Sequence, residues 1–278
     1  MTNSFYKIPN DFPTVIQFSG GRTSGFMLNK ILDANQDLPN NFHVLFQNTG
    51  REMDQTLDFV RDCSINFSVN ITWLEYICNP PFFKIVNYET ASRNGEPFEA
   101  LIKKRKYLPN VVTRYCSDVL KYRTAKRYLV NMGYKKWNSA IGFRADEMRR
   151  VERIHSRKHI REIIWTPLAD AGITKSDIQI FWDNQSFNLG LIGIKGKTPL
   201  GNCDGCFLKS EKNLANLCRE YPERALWWRN MEAMFGKTFV KDRRWSDLID
   251  TVEKQHEFAF SDQADVFCNS VHGSCEGY

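Results

Sequence analysis

No apolar run in the 278 residues approaches the roughly 20 that a membrane-crossing helix requires. The opening residues, Met1 to Asp11, are polar and lack the apolar stretch of a signal peptide. These two absences predict a soluble, cytoplasmic protein with no membrane partner. Internal repeats and low-complexity tracts are also missing. Charge of one sign is scarce in excess: 38 lysines and arginines face 32 acids, a net charge of +6. That imbalance does not by itself point to nucleic acid, but it suits an anionic substrate.

What is present is ample apolar material, 42% of the chain, enough for one large domain or two modest ones. Eight cysteines in a cytoplasmic chain argue against disulfides and for metal or thiol chemistry.

The organising stretch runs from Val15 to Gly25: an apolar β-type run, then Ser19-Gly20-Gly21-Arg22-Thr23-Ser24, then an amphipathic segment from Phe26 to Leu32. Strand, glycine turn and helix follow in that order. Adjacent glycines let the backbone fold tightly around an anion, and the new helix adds its positive end. Ser19, Thr23 and Ser24 supply hydroxyls and Arg22 a charge, so the loop reads as a phosphate cradle. It is not the Walker loop, because no lysine follows the glycines.

Further strands are expected at His43–Gln47, Asn70–Tyr76 and Trp137–Gly142, and helices at Asp54–Phe67 and Asp118–Met132, the latter capped by Ser117. Alternation of strand and helix predicts an α/β fold with a doubly wound parallel sheet, whose ligands bind beyond the strands' carboxyl ends. The Ser-Gly-Gly loop and the Asn48-Thr49-Gly50-Arg51-Glu52 loop both fall at such ends. So does Gly142, followed by Arg144, read either as a bidentate phosphate clamp or as a surface arginine. Residues 79–109 read as an irregular excursion, ending in the basic run 103–106. The basic stretch 149–161 reads either as a phosphate-tracking patch or as a disordered basic loop. Helices are expected from Thr174 or Ser176, from Ser210 to Glu220, and from Pro222 to about Met234. The division is an α/β domain over 1–199 and a mostly helical, cysteine-bearing region over 200–278.

Cys203-x-x-Cys206, closed by Asp204 and Gly205, reads as a metal or cluster knuckle, with a redox dithiol as the alternative. Cys116, Cys268 and Cys275 are candidates for the further ligands. Cys116 precedes a helix start, where a thiolate is favoured. Cys63, Cys78 and Cys218 read as small buried hydrophobes.

The loop Ser19-Gly20-Gly21-x-x-Ser24 resembles the PP-loop of the ATP-pyrophosphatase superfamily, with Thr23 where most of those enzymes carry aspartate. With Phe46-Gln-Asn-Thr-Gly-Arg-Glu52, Arg114-Tyr-Cys116 followed by Lys121, Gly142-Phe-Arg-Ala-Asp-Glu147 and Cys203-x-x-Cys206, the chain is similar to the phosphoadenosine-phosphosulfate (PAPS) reductase family. The likeness is to its phage and mobile-element branch, over roughly residues 14–210. The resemblance implies a Rossmann-like PP-loop fold that binds an adenine nucleotide, ATP or PAPS/APS, with magnesium compatible with ATP. It implies that Ser19–Ser24, Asn48, Thr49, Gly50, Glu52 and Gly142 surround that nucleotide. It further implies a [4Fe–4S] cluster on Cys116, Cys203 and Cys206, completed by Cys275 or Cys268 or left open at one iron, with zinc as the alternative. Three functions follow from it. The first is ATP-dependent sulfur transfer through adenylation, with Arg144 stabilising charge and a tRNA or DNA acceptor. The second is reduction of PAPS or APS by Cys275 with a thioredoxin-type reductant. The third is non-catalytic nucleotide binding. An oligomer is compatible with each.

Overall fold

The computed structural model describes residues 3–191 and 198–254. Six strands form one sheet in the order β4-β3-β2-β1-β5-β6. They are β1 (Thr14–Phe18), β2 (Phe42–Asn48), β3 (Ile71–Tyr76), β4 (Phe83–Val86), β5 (Trp137–Ala140) and β6 (Glu162–Trp165). All neighbours pair in parallel except β3 and β4. The chain therefore winds outward from β1 through β2 to β3, then returns to the other side of β1 with β5 and β6. Strand order reverses between β1 and β5, and at such a switch point the diverging connections leave a crevice.

Both faces of the sheet are covered. Side chains alternate along each strand, so β1 sends Ile16 and Phe18 to one side and Val15 to the other. On the first side, Ile16, Phe18, Val44 and Phe46 pack with Met27 and Ile31 of α1 (Arg22–Ala34) and with Leu57 and Val60 of α2 (Asp54–Asn66). On the second, Val15, Leu45, Leu74 and Trp137 meet Ala125 and Leu129. Those two lie on α4 (Thr124–Asn131), which continues a π-helical stretch, Ser117–Arg123. Among the described residues no helix is long and apolar enough to cross a membrane.

Two expectations need correction. Residues 79–109 are not irregular throughout: they contain β4 and a helix, α3 (Glu96–Arg105). Ser117 does not cap a helix; it lies inside the π-helical turn, and Cys116 before it already has helical angles, φ −59 and ψ −48. Further helices are α5 (Met148–His155), the single turn α6 (Pro167–Asp170), α7 (Lys175–Asp183), α8 (Glu211–Glu220) and α9 (Pro222–Phe235), and residues 245–254 are helical as well. The stretch 149–161 is thus helical over its first half. Ser210 does cap α8, accepting from the Asn213 amide. Past the 199/200 boundary, Phe207, Leu214, Leu217 and Trp228 join the same buried cluster as α1 and α2.

Thr174 caps α7 in a reciprocal arrangement: its amide and hydroxyl donate to Asp177 Oδ2 at 2.8 and 2.7 Å. These bonds hold the Asp177 carboxyl below the ordinary aspartate range. A depressed carboxylate stabilises the fold above its unfolded-state pKa, and that contribution fades as the pH falls through its folded-state value. Asp177→Ala should cost about 1 kcal/mol at neutral pH. The gap between variant and parent in urea melts should close below about pH 4.

Candidate functional site

The β1–β5 crevice opens into a cavity of about 550 Å³, within the range of small-molecule sites. The loop after β1 forms its floor. Gly20 adopts φ +72 there, and a Cβ at that position would stand 2.8 Å from Thr56 Cγ2. The turn therefore needs glycine both for its angle and for its contact with α2. Ser24 ties the loop together: its Oγ accepts from the Ser19 and Gly21 amides, both at 3.3 Å, and from Ser19 Oγ at 3.1 Å. It donates to the Gly21 carbonyl at 2.8 Å. The same amides sit at the N-terminus of α1, where the helix dipole favours an anion. Ser24→Ala removes all four bonds. It should weaken phosphate-ligand binding roughly tenfold in a calorimetric titration, with a stability loss near 1 kcal/mol.

The cavity wall is cationic. Arg22, Lys121, Arg144, Arg150 and Lys175 line it, against one lining carboxylate, Glu147. Arg144 Nη1 donates to Thr23 Oγ1 at 3.3 Å, while its Nε donates to Asp146 Oδ1 at 2.8 Å. That bond, with the charge behind it, lowers the Asp146 pKa. Arg150 pairs with Glu147 and lays its guanidinium on the Phe143 ring. Arg22 is held by Asn188 Oδ1 at 2.8 Å. Two deeply buried lining groups, Gln47 Nε2 and Thr56 Oγ1, have no hydrogen-bond partner within the described structure. A buried donor of this kind calls for a partner from water or a ligand.

The Asn48–Glu52 loop is placed differently from the Ser-Gly-Gly loop. Ser19–Ser24, Gly142 and Arg144 line the cavity, whereas Asn48, Thr49, Gly50 and Glu52 do not. Asn48 Nδ2 donates to buried Glu75 at 2.6 Å and to the Ser92 carbonyl, and Gly50 backs directly onto Gly95. Thr49 donates from its amide and its hydroxyl to Glu52 Oε2. Glu52 then pairs with Lys121 at 3.4 Å. Lys121 therefore belongs to both sets: it lines the cavity and it reaches the buried loop.

Beyond Lys121 lie the thiols. Cys203 Sγ is 3.4 Å from the Thr49 hydroxyl. Burial pushes the Cys203 pKa up to about 12, Glu52 adds to the rise, and Lys121 opposes it. Cys116 is also raised, first by burial and then by the charge of Cys206. Burial opposes the charge on Lys121, but Glu52, Cys203 and Cys116 together outweigh it and raise its pKa. The Cys206 thiol adds to the rise at both Cys116 and Cys203.

The Cys203–Cys206 turn is locked in place by Asp204, which is fully buried. Asp204 accepts from Arg51 Nη2 at 2.6 Å, Arg224 Nε at 2.6 Å, Trp228 Nε1 at 2.8 Å and the Gly205 amide at 2.6 Å. Its own amide donates to the Arg51 carbonyl. A Cβ on Gly205 would run into the Trp228 indole nitrogen, so this turn closes only with glycine. Arg51 and Asp204 are the partners that sequence reasoning missed, along with Gln47 and Thr56.

A [4Fe–4S] cluster or a closed zinc site takes four ligands. The candidate thiols Cys116, Cys203 and Cys206 number one fewer than that, and Tyr115 occupies the position before Cys116. Among the described residues no group of three or more His, Cys, Asp or Glu side chains is arranged to hold a metal ion. The described residues therefore do not complete either site. Cys268 and Cys275, the candidates for closing it, and the catalytic assignment of Cys275, lie outside the described residues. Cys63 and Cys218 are buried in the core and Cys78 is partly buried against it, as small hydrophobes would be.

No protein-family model matches the chain. It is similar to the uncharacterized nin region protein ORF290 of Escherichia phage lambda, with 27% identity over 215 residues that cover 74% of this chain and 69% of that protein.

Proposed function

We propose that the protein is an enzyme that binds an adenine nucleotide, ATP or PAPS/APS, by its phosphates at residues 19–24 and works on it beside a thiol site. One observation carries this reading. The cavity floored by the Ser-Gly-Gly loop is also lined by Lys121, and Lys121 pairs with Glu52 next to Cys203. A phosphoryl or sulfuryl group in the cavity would thus lie on the path to the thiols.

The reaction this arrangement suits best is ATP-dependent sulfur transfer. An acceptor oxygen attacks the α-phosphorus and pyrophosphate leaves. The loop amides, Arg144 and Arg22 stabilise the charge that grows on the phosphates. A sulfide-level sulfur nucleophile then displaces AMP from the activated carbon. Lys121, charged and fixed by Glu52, orients the group that reaches toward the thiols. Gln47 and Thr56 supply the remaining donors at the base of the cavity.

Ligand-induced shifts in melting temperature test this reading. ATP or PAPS at a hundredfold excess over its dissociation constant should stabilise the fold by about 2.7 kcal/mol, and inorganic sulfate at the same concentration far less. Equal, negligible shifts for all three would contradict it.

A further inference from the structure

A second cavity, of about 640 Å³, lies on the outer side of the π-helical stretch and α4. It runs from Pro81 and Phe83 at the β4 edge to Arg161 just before β6, at opposite margins of the sheet. Its charge is one-sided. Arg123, Lys126, Arg127 and Arg161 line it with a single carboxylate, Asp118, which is already paired with Arg123 at 2.7 Å. Lys126 Nζ stands 5.9 Å from the centroid of the Tyr122 ring, and that ring is 43% exposed. Arg127 lies against Phe82, and its Nη1, shielded from solvent, has no acceptor within the described structure. Several cations of the other basic runs have partners elsewhere. Lys103 pairs with Glu99, Lys104 donates to the Cys78 carbonyl, and Arg150 faces the first cavity.

We infer that this groove binds the phosphodiester backbone of a single-stranded nucleic acid. Three of the four cations, Arg123, Lys126 and Arg127, follow one helix and its π-helical extension, and Arg161, just before β6, adds the fourth. That is the form of a surface that tracks successive phosphates. Tyr122 offers a ring face to an unpaired base, which a duplex keeps stacked inside. An acidic peptide could meet the charges but would leave that face unused. The upper end of the groove, at Asp118 and Tyr122, belongs to the same π-helical stretch that carries Lys121 on its other side. π-helical turns of this kind recur at functional sites. A strand held in the groove would therefore lie along the helical stretch that also lends Lys121 to the first cavity. The inference supplies an acceptor class for the proposed reaction yet stands without it, because strand binding and nucleotide binding are read separately.

Fluorescence anisotropy on the full chain tests it, with labelled oligo-dT and oligo-U of about 15 nucleotides titrated across about 50–200 mM salt. At least one strand should bind, with a slope of log affinity against log salt of about −3 for four contacts. The double variant Lys126→Glu/Arg161→Glu should bind at least tenfold more weakly at low salt, with a slope near −1. Its ATP-induced melting shift should match the parent's. If that variant misfolds, Lys126→Gln/Arg161→Gln replaces it. The inference is overturned if neither strand binds, if the variant binds like the parent, if a blunt duplex binds equally well at every salt, or if polyglutamate of equal charge competes as strongly as unlabelled strand.

Discussion

Asp204→Ala should destabilise the protein by about 3–5 kcal/mol, among the largest losses of any single substitution. Asp204 is the common acceptor for two buried guanidinium groups, an indole nitrogen and a backbone amide. Arg51 and Arg224 are nearly as buried as Asp204 itself. Desolvation already lowers the Arg51 pKa, and Asp204 is the main influence opposing that shift. Removing the carboxylate leaves two charges in a low-dielectric interior with no counter-ion, and that is the costly direction for a buried ion pair. Arg51 stacks on Trp227 and bonds to the Arg224 carbonyl, while Arg224 reaches the Glu52 carbonyl. The loss therefore spreads from the cysteine turn to the Asn48–Glu52 loop and to α9. Thermal melting should fall on the order of 10 °C, with Asp204→Asn in between because an amide retains part of the hydrogen bonding. A drop of under 1 kcal/mol in urea melts would show that the cluster does not carry the stability assigned to it.

Arg144→Ala should have the largest effect on ligand binding, weakening the nucleotide roughly 10- to 100-fold. One charge-assisted hydrogen bond, worth about 1.5–3 kcal/mol, accounts for that range. The guanidinium is placed by Thr23 on the loop and by Asp146 and Glu147 on its own turn. It is thus pre-set beside the Ser19–Ser24 loop before a ligand arrives. Lysine should recover only part of the loss, since a point charge cannot match a planar fork on two phosphoryl oxygens. The folding free energy should barely change, because the ion pairs lost lie at a partly exposed rim. An Arg144→Ala protein that bound ATP and PAPS like the parent would remove Arg144 from the site.

Much of this architecture is legible in the sequence where the causes are local. The apolar run Val15–Phe18, the double glycine after it, and the capping residues Thr174 and Ser210 all act on neighbours a few positions away. β4 escaped notice because its four residues alternate weakly between buried and exposed. The π-helical stretch differs from an ordinary helix only in how far each amide reaches back, which residue types do not announce. The Asn48–Glu52 loop shows the harder limit. Its side chains are drawn inward by partners far along the chain: Glu75 and Ser92 for Asn48, Lys121 for Glu52 and Cys203 for Thr49. Strand alternation turns neighbouring side chains to opposite faces, so Gln47 lines the cavity and Asn48 does not. Asp204 likewise reads as a turn residue beside Gly205, and only the fold brings Arg51 and Arg224 to it.

The claim on which the account rests is that the crevice between β1 and β5 holds a nucleotide by its phosphates. Calorimetric titration of ATP and PAPS into the full chain, run in parallel on the parent and on Arg144→Ala, tests it most directly. The account predicts one site per chain for at least one of the two nucleotides, with affinity lowered at least tenfold in the variant. No measurable heat or competition from either nucleotide, or equal affinity in parent and variant, would contradict it.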